Sequence, residues 1–255
     1  MCEVFSILGC GWLGKSVATY FYDRNFQINA SVTKDKAKLT NLPVKPYILS
    51  LPEVPSESVS FFDCDYLLIA FPPKGESGYA AKMNGLKLPS NEKIKGVIFI
   101  SSTAVYKDGH LTHSFESYKL SDSTRAKNII SAENELKKLF GNKLTILRCG
   151  GLYGEGRHPG RFLSGKEVSN GRAPVNMISD VDVCRVIERI IELSRWGETY
   201  PLVHTEHPTK EVYYKHFAKK EGLMRPIFTD MDPGKTIDAS FAWKDLNLAP
   251  KKGLM

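Results

Sequence analysis

The sequence has no uninterrupted apolar run of about 18 residues, the length a helix needs to cross a bilayer, and no C-x-x-C pair. The first absence excludes a helical membrane span. The second weighs against a disulfide framework, since the five cysteines (Cys2, Cys10, Cys64, Cys149 and Cys184) form an odd set mostly embedded in apolar runs, where a thiol serves as a small core residue. A signal peptide's basic start and cleavage site are also lacking: MCEVFSILGCG passes directly from a strand-like segment into glycines, so the expected compartment is the reducing cytoplasm. Lysine and arginine outnumber acidic residues 35 to 28, a net charge of +7, but they are scattered and not interleaved with aromatics. That pattern excludes a nucleic-acid-binding surface and leaves a mild positive field suited to small anions. His204-x-x-His207 has a metal-like spacing, yet no cysteine or further histidine joins it, so no metal is expected and the pair reads as a solvated loop before Pro208. There is no internal repeat, low-complexity tract or linker, and nothing sets an oligomeric state.

What is present is an alternation of short apolar runs with helical stretches. FSIL (Phe5 to Leu8), INASV (Ile28 to Val32), DYLLIAF (Asp65 to Phe71), GVIFIS (Gly96 to Ser101) and LTILR (Leu144 to Arg148) read as buried strands. Helices are expected at about Leu13 to Tyr22 and Ser123 to Leu139. Continuous apolar runs separated by helices predict a doubly wound α/β fold, a parallel sheet covered on both faces. A glycine-rich basic loop from Gly151 to Arg172 interrupts the alternation, which resumes with PVNMIS, the amphipathic helix Asp180 to Ser194, PLVH and a helix at about Lys210 to Glu221. The expected organisation is a dinucleotide-binding Rossmann domain over residues 1–155. A small substrate lobe over 156–255 is interleaved with the last Rossmann strand and helix, about 174–205.

GCGWLG, Gly9 to Gly14, satisfies G-x-G-x-x-G directly after the first strand and opens a helix through Trp12 and Leu13. Gly9 permits the tight turn, Gly11 lets the backbone approach a pyrophosphate, and Gly14 allows close helix-to-strand packing. The second strand ends in SVTKDKAK: Ser31, Thr33 and Lys34 come before Asp35. Hydroxyls and a cation suit a 2′-phosphate, whereas an NAD site places an acid there, so NADP is favoured over NAD.

With GCGWLG, SSTAVY after the middle strand, ILRCGGLYGEGRHPGRF, NMISDVDVCRVIERII and GKTIDASFAWKDLNLAP, the chain resembles the extended short-chain dehydrogenase/reductase family of NAD(P)-dependent nucleotide-sugar epimerases and dehydratases. GCGWLG and GRHPGRF look most like a short bacterial branch of that family whose substrate is generally unassigned. The resemblance implies that Phe71, Pro72 and Pro73 run along the adenosine side of the cofactor. It puts Thr103, with Ser102 beside it, on the catalytic hydroxyl that binds the reacting oxygen. The family's Tyr-x-x-x-Lys occurs nowhere in the chain. At that spacing on the expected helix stand Ser123 and Lys127; registering Glu133 on the family's following acid would instead put Arg125 and Ile129 in the two slots. Either register loses the phenol, and serine reaches a proton only through water. A second departure is Cys149, Gly150 and Gly151, where the family has Pro and Asn before V-Y-G.

In the loop, Arg157 and Arg161 are guanidinium groups suited to phosphate or carboxylate, and with Asn176 they are the expected substrate contacts. The function expected is an oxidoreductase or epimerase that transfers hydride to or from a small anionic or nucleotide-linked substrate. The alternative is a catalytically silent NADP-binding sensor or scaffold.

Overall fold

The computed structural model describes residues 2–73, 78–87, 92–109, 111–230 and 234–255. The chain forms two compact units: the first comprises 1–102, 123–148 and 184–199, the second 103–122, 149–183 and 200–255. The chain therefore passes between units more often than the expected boundary near residue 155 implies, and the segment after SS of SSTAVY belongs to the second unit.

The principal strands are β1 (Val4–Leu8), β2 (Gln27–Val32), β3 (Lys45–Ile48), β4 (Tyr66–Ile69) and β5 (Gly96–Ser102). After the short β6 (Thr112–His113) come β7 (Leu144–Cys149), β8 (Gly151–Tyr153), β9 (Glu167–Val168), β10 (Met177–Ser179), β11 (Thr199–Leu202), β12 (Ile227–Phe228) and β13 (Thr236–Ile237). Seven form one parallel sheet in the order β11-β7-β5-β4-β1-β2-β3, the doubly wound arrangement expected. The helices are α1 (Trp12–Tyr22), α2 (Tyr79–Met83), α3 (Thr124–Phe140), α4 (Asp180–Leu193), α5 (Lys210–Lys220) and α6 (Ser240–Asp245). No helix among the described residues is long and apolar enough to cross a membrane.

β3 escaped the sequence reading because KPYI carries a lysine and a proline. It lies at the sheet edge, where a missing N–H is tolerated, and only Tyr47 of its four residues is buried. The first unit's core gathers Leu67 and Ile69 of β4, Phe61, Phe62 and Met83, with Leu136 of α3. Within it sits a buried ion pair: Arg148 Nε and Nη2 donate to Glu133 at 3.0 and 2.7 Å, and the Ser101 hydroxyl donates to the same carboxylate at 2.6 Å. The fork-to-carboxylate geometry and the added hydroxyl compensate for removing both charges from water. Together they tie α3 to β5 and β7.

In the second unit, β8 pairs with β10, β9 with β12 and β6 with β13, all in parallel. A satellite core joins Val175, Met177, Tyr213, Phe217 and Leu254.

Candidate functional site

The glycine turn follows β1. Gly9 has φ +87°, and a Cβ there would lie 2.8 Å from the Phe71 Cβ, so both backbone conformation and space require glycine. A Cβ on Gly14 would meet the Gly9 carbonyl at 3.1 Å and Ile7 at 3.2 Å, which is the close helix-to-strand approach. Gly11 differs: nothing lies within 4 Å of where its Cβ would stand, so this position faces open space at the N-terminus of α1. No side chain caps α1 and no acid stands in its first turn, so its leading N–H groups and positive dipole end suit an anion. Trp12 is half-buried, while Leu13 is buried and contributes its backbone rather than its side chain to that end.

Ser31 braces the turn. Its hydroxyl accepts from the Gly9 N–H at 3.1 Å and its carbonyl from the Cys10 N–H at 2.7 Å. Beyond it opens a cavity of about 240 Å³ lined by Gly9, Thr33, Lys34, Phe71, Pro72 and Lys82, with no carboxylate in its wall among the described residues. Pro73 follows immediately, outside that wall. Asp35 is turned away: its carboxylate accepts from the Ala37 N–H at 2.9 Å and caps the 3-10 turn Lys36–Leu39. Lys82, from α2, is a cation that the strand end alone does not reveal, because only folding brings it to the cavity that Lys34 also lines. Burial pushes the Cys10 thiol up to about 11, against the opposing charge of Lys15, so the cysteine inside the glycine turn stays neutral.

Ser102 closes β5, and Thr103, 9 % exposed, opens the 3-10 turn Thr103–Val105, whose Tyr106 N–H bonds the Thr103 carbonyl at 3.1 Å. Ser123, the expected proton relay, stands at the start of α3. Its hydroxyl accepts from the Ala126 N–H at 3.2 Å as the N-cap of α3, and Lys127 is exposed. Ala126, Ile129, Ala132, Glu133 and Leu136 make the buried face, so Ile129, one turn before Glu133, is core. Tyr153 offers no substitute phenolate, because burial and then the charges of Asp182, Asp180 and Glu206 push it up to about 12. Every other described tyrosine with a resolved shift is also raised.

In the second unit, a Cβ on Gly150 would lie 2.2 Å from the Asn176 carbonyl, and one on Gly151 2.4 Å from the Met177 sulfur. The close β8–β10 approach accounts for the two glycines at the point where the sequence departs from the family it resembles. The Asn176 side chain donates to the Lys235 carbonyl at 3.0 Å and accepts from the Ile237 N–H at 2.9 Å, so it holds the β13 segment. Arg157 Nε donates to the Leu152 carbonyl at 3.0 Å, and Arg161 is exposed. A second cavity, of about 300 Å³, is lined by Asn176 but by neither arginine; Asn170, Lys210, Tyr214 and Lys235 share its wall. His204 departs from the expected solvated loop: it is 2 % exposed, its Nδ1 accepts from Glu206 N–H at 2.9 Å, and Nε2 lies 2.9 Å from the Lys252 carbonyl. His207 bonds the Val175 carbonyl at 3.0 Å. Among the described residues no three metal-ligating side chains converge.

No protein-family profile matches the chain. It is 31% identical over 249 residues to Protein YeeZ of Escherichia coli (strain K12), covering 92% of this chain and 91% of that one. A functionally unknown conserved protein from Silicibacter pomeroyi superposes with a TM-score of 0.80 at 18% identity, covering 98% of this chain and 94% of that one. UDP-glucuronic acid 4-epimerase from Bacillus cereus, solved with NAD, superposes with a TM-score of 0.77 at 14% identity over 98% and 94%. At such identities these two likenesses establish the shared fold.

Proposed function

We propose, from the premise that the chain belongs to the family of Protein YeeZ, that it is an NADP-binding protein of the extended short-chain dehydrogenase/reductase type. Its activity is that of an oxidoreductase or epimerase on a small anionic or nucleotide-linked substrate. The observation that carries this reading is the division of labour in GCGWLG: Gly9 and Gly14 are required by packing, while Gly11 alone faces empty space beside uncapped helix N–H groups. A cradle that a Cβ would fill fits a pyrophosphate. Thr33, Lys34 and Lys82 offer a hydroxyl and two cations to a 2′-phosphate, and Asp35, spent as a cap, leaves the ribose without the acid of an NAD site. The epimerase solved with NAD shares the fold, and the choice between the dinucleotides rests on these side chains.

When bound, the nicotinamide supplies hydride exchange. This chain's own residues bind and orient. Thr103 presents a hydroxyl to the reacting oxygen, and the proton leaves through water, because Ser123 is a cap and burial makes the Tyr153 phenol a weaker acid. The burial of Ile129 favours a second reading, a dinucleotide-binding sensor without turnover, since the register set by Glu133 puts a buried Ile129 in place of the ammonium that would lower a phenol's pKa, and neither register supplies the phenol.

Fluorescence titration with NADPH and NADH tests the assignment. NADPH should bind more tightly, Gly11→Val should abolish binding without altering the circular dichroism, and Lys34→Asp should weaken NADPH selectively. Tighter NADH binding removes the NADP assignment. Full NADPH affinity in Gly11→Val removes the cradle. Substrate-dependent change in nicotinamide absorbance separates the enzyme from the sensor.

A further inference from the structure

The second unit's cavity has features that the dinucleotide reading does not use. Lys210 and Tyr214, one turn apart on α5, line it together with Asn170 on the facing loop. That loop is held against the start of α5 by the Lys210 N–H to the Ala173 carbonyl at 2.8 Å and the Glu211 N–H to the Gly171 carbonyl at 3.1 Å.

The cavity's charges are unequal in availability. Lys235 is committed: its ammonium donates to the Tyr106 carbonyl at 2.7 Å and pairs at 3.0 Å with Asp108, whose carboxylate also lines the cavity and is neutralised by that pairing. Asn176 is also committed, through both ends of its amide. Lys210, half-buried, forms no ion pair or side-chain hydrogen bond among the described residues. Neither does the side-chain amide of Asn170, whose backbone is held at φ +64° by its N–H bond to Asp230 at 2.8 Å. A partly desolvated ammonium and an amide, both unengaged and lining one cavity, make a receptor for a group that accepts several hydrogen bonds and carries negative charge. Tyr214 adds an aromatic surface, its hydroxyl directed to the Met177 sulfur at 4.0 Å. The volume of about 300 Å³ stands at the lower end of ligand cavities, roughly 300 to 1,000 Å³, which suits a metabolite-sized guest.

We propose that Lys210 and Asn170 form the oxyanion subsite of this chain, binding the phosphate or carboxylate of a small metabolite in the second unit's cavity. This deepens the reading above, because that metabolite is its anionic substrate, and it moves the anion contact from Arg157 and Arg161 to residues the sequence did not single out.

Isothermal titration of the full chain with inorganic phosphate, citrate and UDP, each in the presence and absence of NADPH, tests it. Phosphate or citrate should bind, the stronger of the two identifying the oxyanion. Lys210→Gln should weaken that binding about tenfold or more, Asn170→Ala severalfold, and Lys210→Arg should retain it. NADPH affinity and the thermal midpoint without ligand should be unchanged in all three variants. Equal affinity in Lys210→Gln and the unaltered chain, or no binding of either small anion, would overturn the proposal. So would Lys210-dependent binding of UDP alone, which would assign the cavity to a nucleotide. If Lys210→Gln fails to fold, the Asn170→Ala titration decides by the same criterion. Absence of NADPH binding would defeat the dinucleotide reading while leaving the anion result standing.

Discussion

Tyr213 is buried completely in the satellite core with Phe217, Val175 and Leu254, and its hydroxyl has no hydrogen-bond partner among the described residues. An orphaned hydroxyl costs about 1–3 kcal/mol of desolvation, and the ring contributes its packing without it. Tyr213→Phe should therefore raise stability by about 1 kcal/mol, lifting the thermal midpoint by about 2–4 °C. A lowered midpoint in differential scanning calorimetry would mean that the hydroxyl is satisfied. The cysteines give a pH prediction of definite sign. Burial pushes Cys10 and Cys64 up to about 11 and Cys149 up to about 12, and a thiol reacts as its thiolate. At mildly alkaline pH a disulfide reagent should titrate the exposed Cys2 in the native protein, with the buried thiols following only on denaturation or as pH nears their raised values. Fast reaction of more than one thiol per native chain would contradict this. That these cysteines are core residues was legible from their apolar neighbours, whereas a missing partner at 213 depends on which groups meet in three dimensions.

α3 shows where an element's sequence stops informing. Its span and amphipathicity follow from spacing, and Ser123 lies at the predicted start, yet four-residue spacing to Lys127 is equally compatible with a cap and with a proton relay. The structure shows the cap, and Ser123→Ala should cost about 1 kcal/mol, a typical N-cap loss, measured by urea unfolding. Ser123→Tyr should also destabilise, and its phenol should titrate near its ordinary value with or without NADPH, because the position is exposed; a phenol acidified by NADPH would restore the relay. The parallel strands and the glycine turn were legible because their signals are local: apolar runs, and glycines needed for one backbone conformation. Lys82, the Asn176 brace and the Gly150 contact with the Asn176 carbonyl were not, because each joins segments far apart in sequence. Asp35 is intermediate: its lateness on the strand was visible, but its capping of Lys36–Leu39 was not.

For the whole molecule, the order of segments matters more than a single boundary. The first unit is completed by residues 184–199, long after the chain has left it. These carry Val186, Ile187 and Ile190 of α4, all fully buried, and Glu188, whose carboxylate accepts from the Tyr20 hydroxyl of α1 at 2.6 Å and also pairs with Arg24. Burying three such side chains is worth about 1.5–3 kcal/mol each, together comparable with the entire stability of a domain, about 5–15 kcal/mol. A fragment of residues 1–155, which contiguous reading would take as the dinucleotide domain, lacks all of them. It should unfold without a cooperative transition and fail to bind NADPH, although it retains GCGWLG, Thr33, Lys34 and Lys82. Extending the fragment through residue 202 restores α4 and β11 and should recover a urea transition by circular dichroism, with measurable NADPH affinity. If 1–155 alone unfolds cooperatively and binds NADPH as tightly as the full chain, α4 is dispensable to the cradle, and the glycine turn is held by α1 and the first five strands without it.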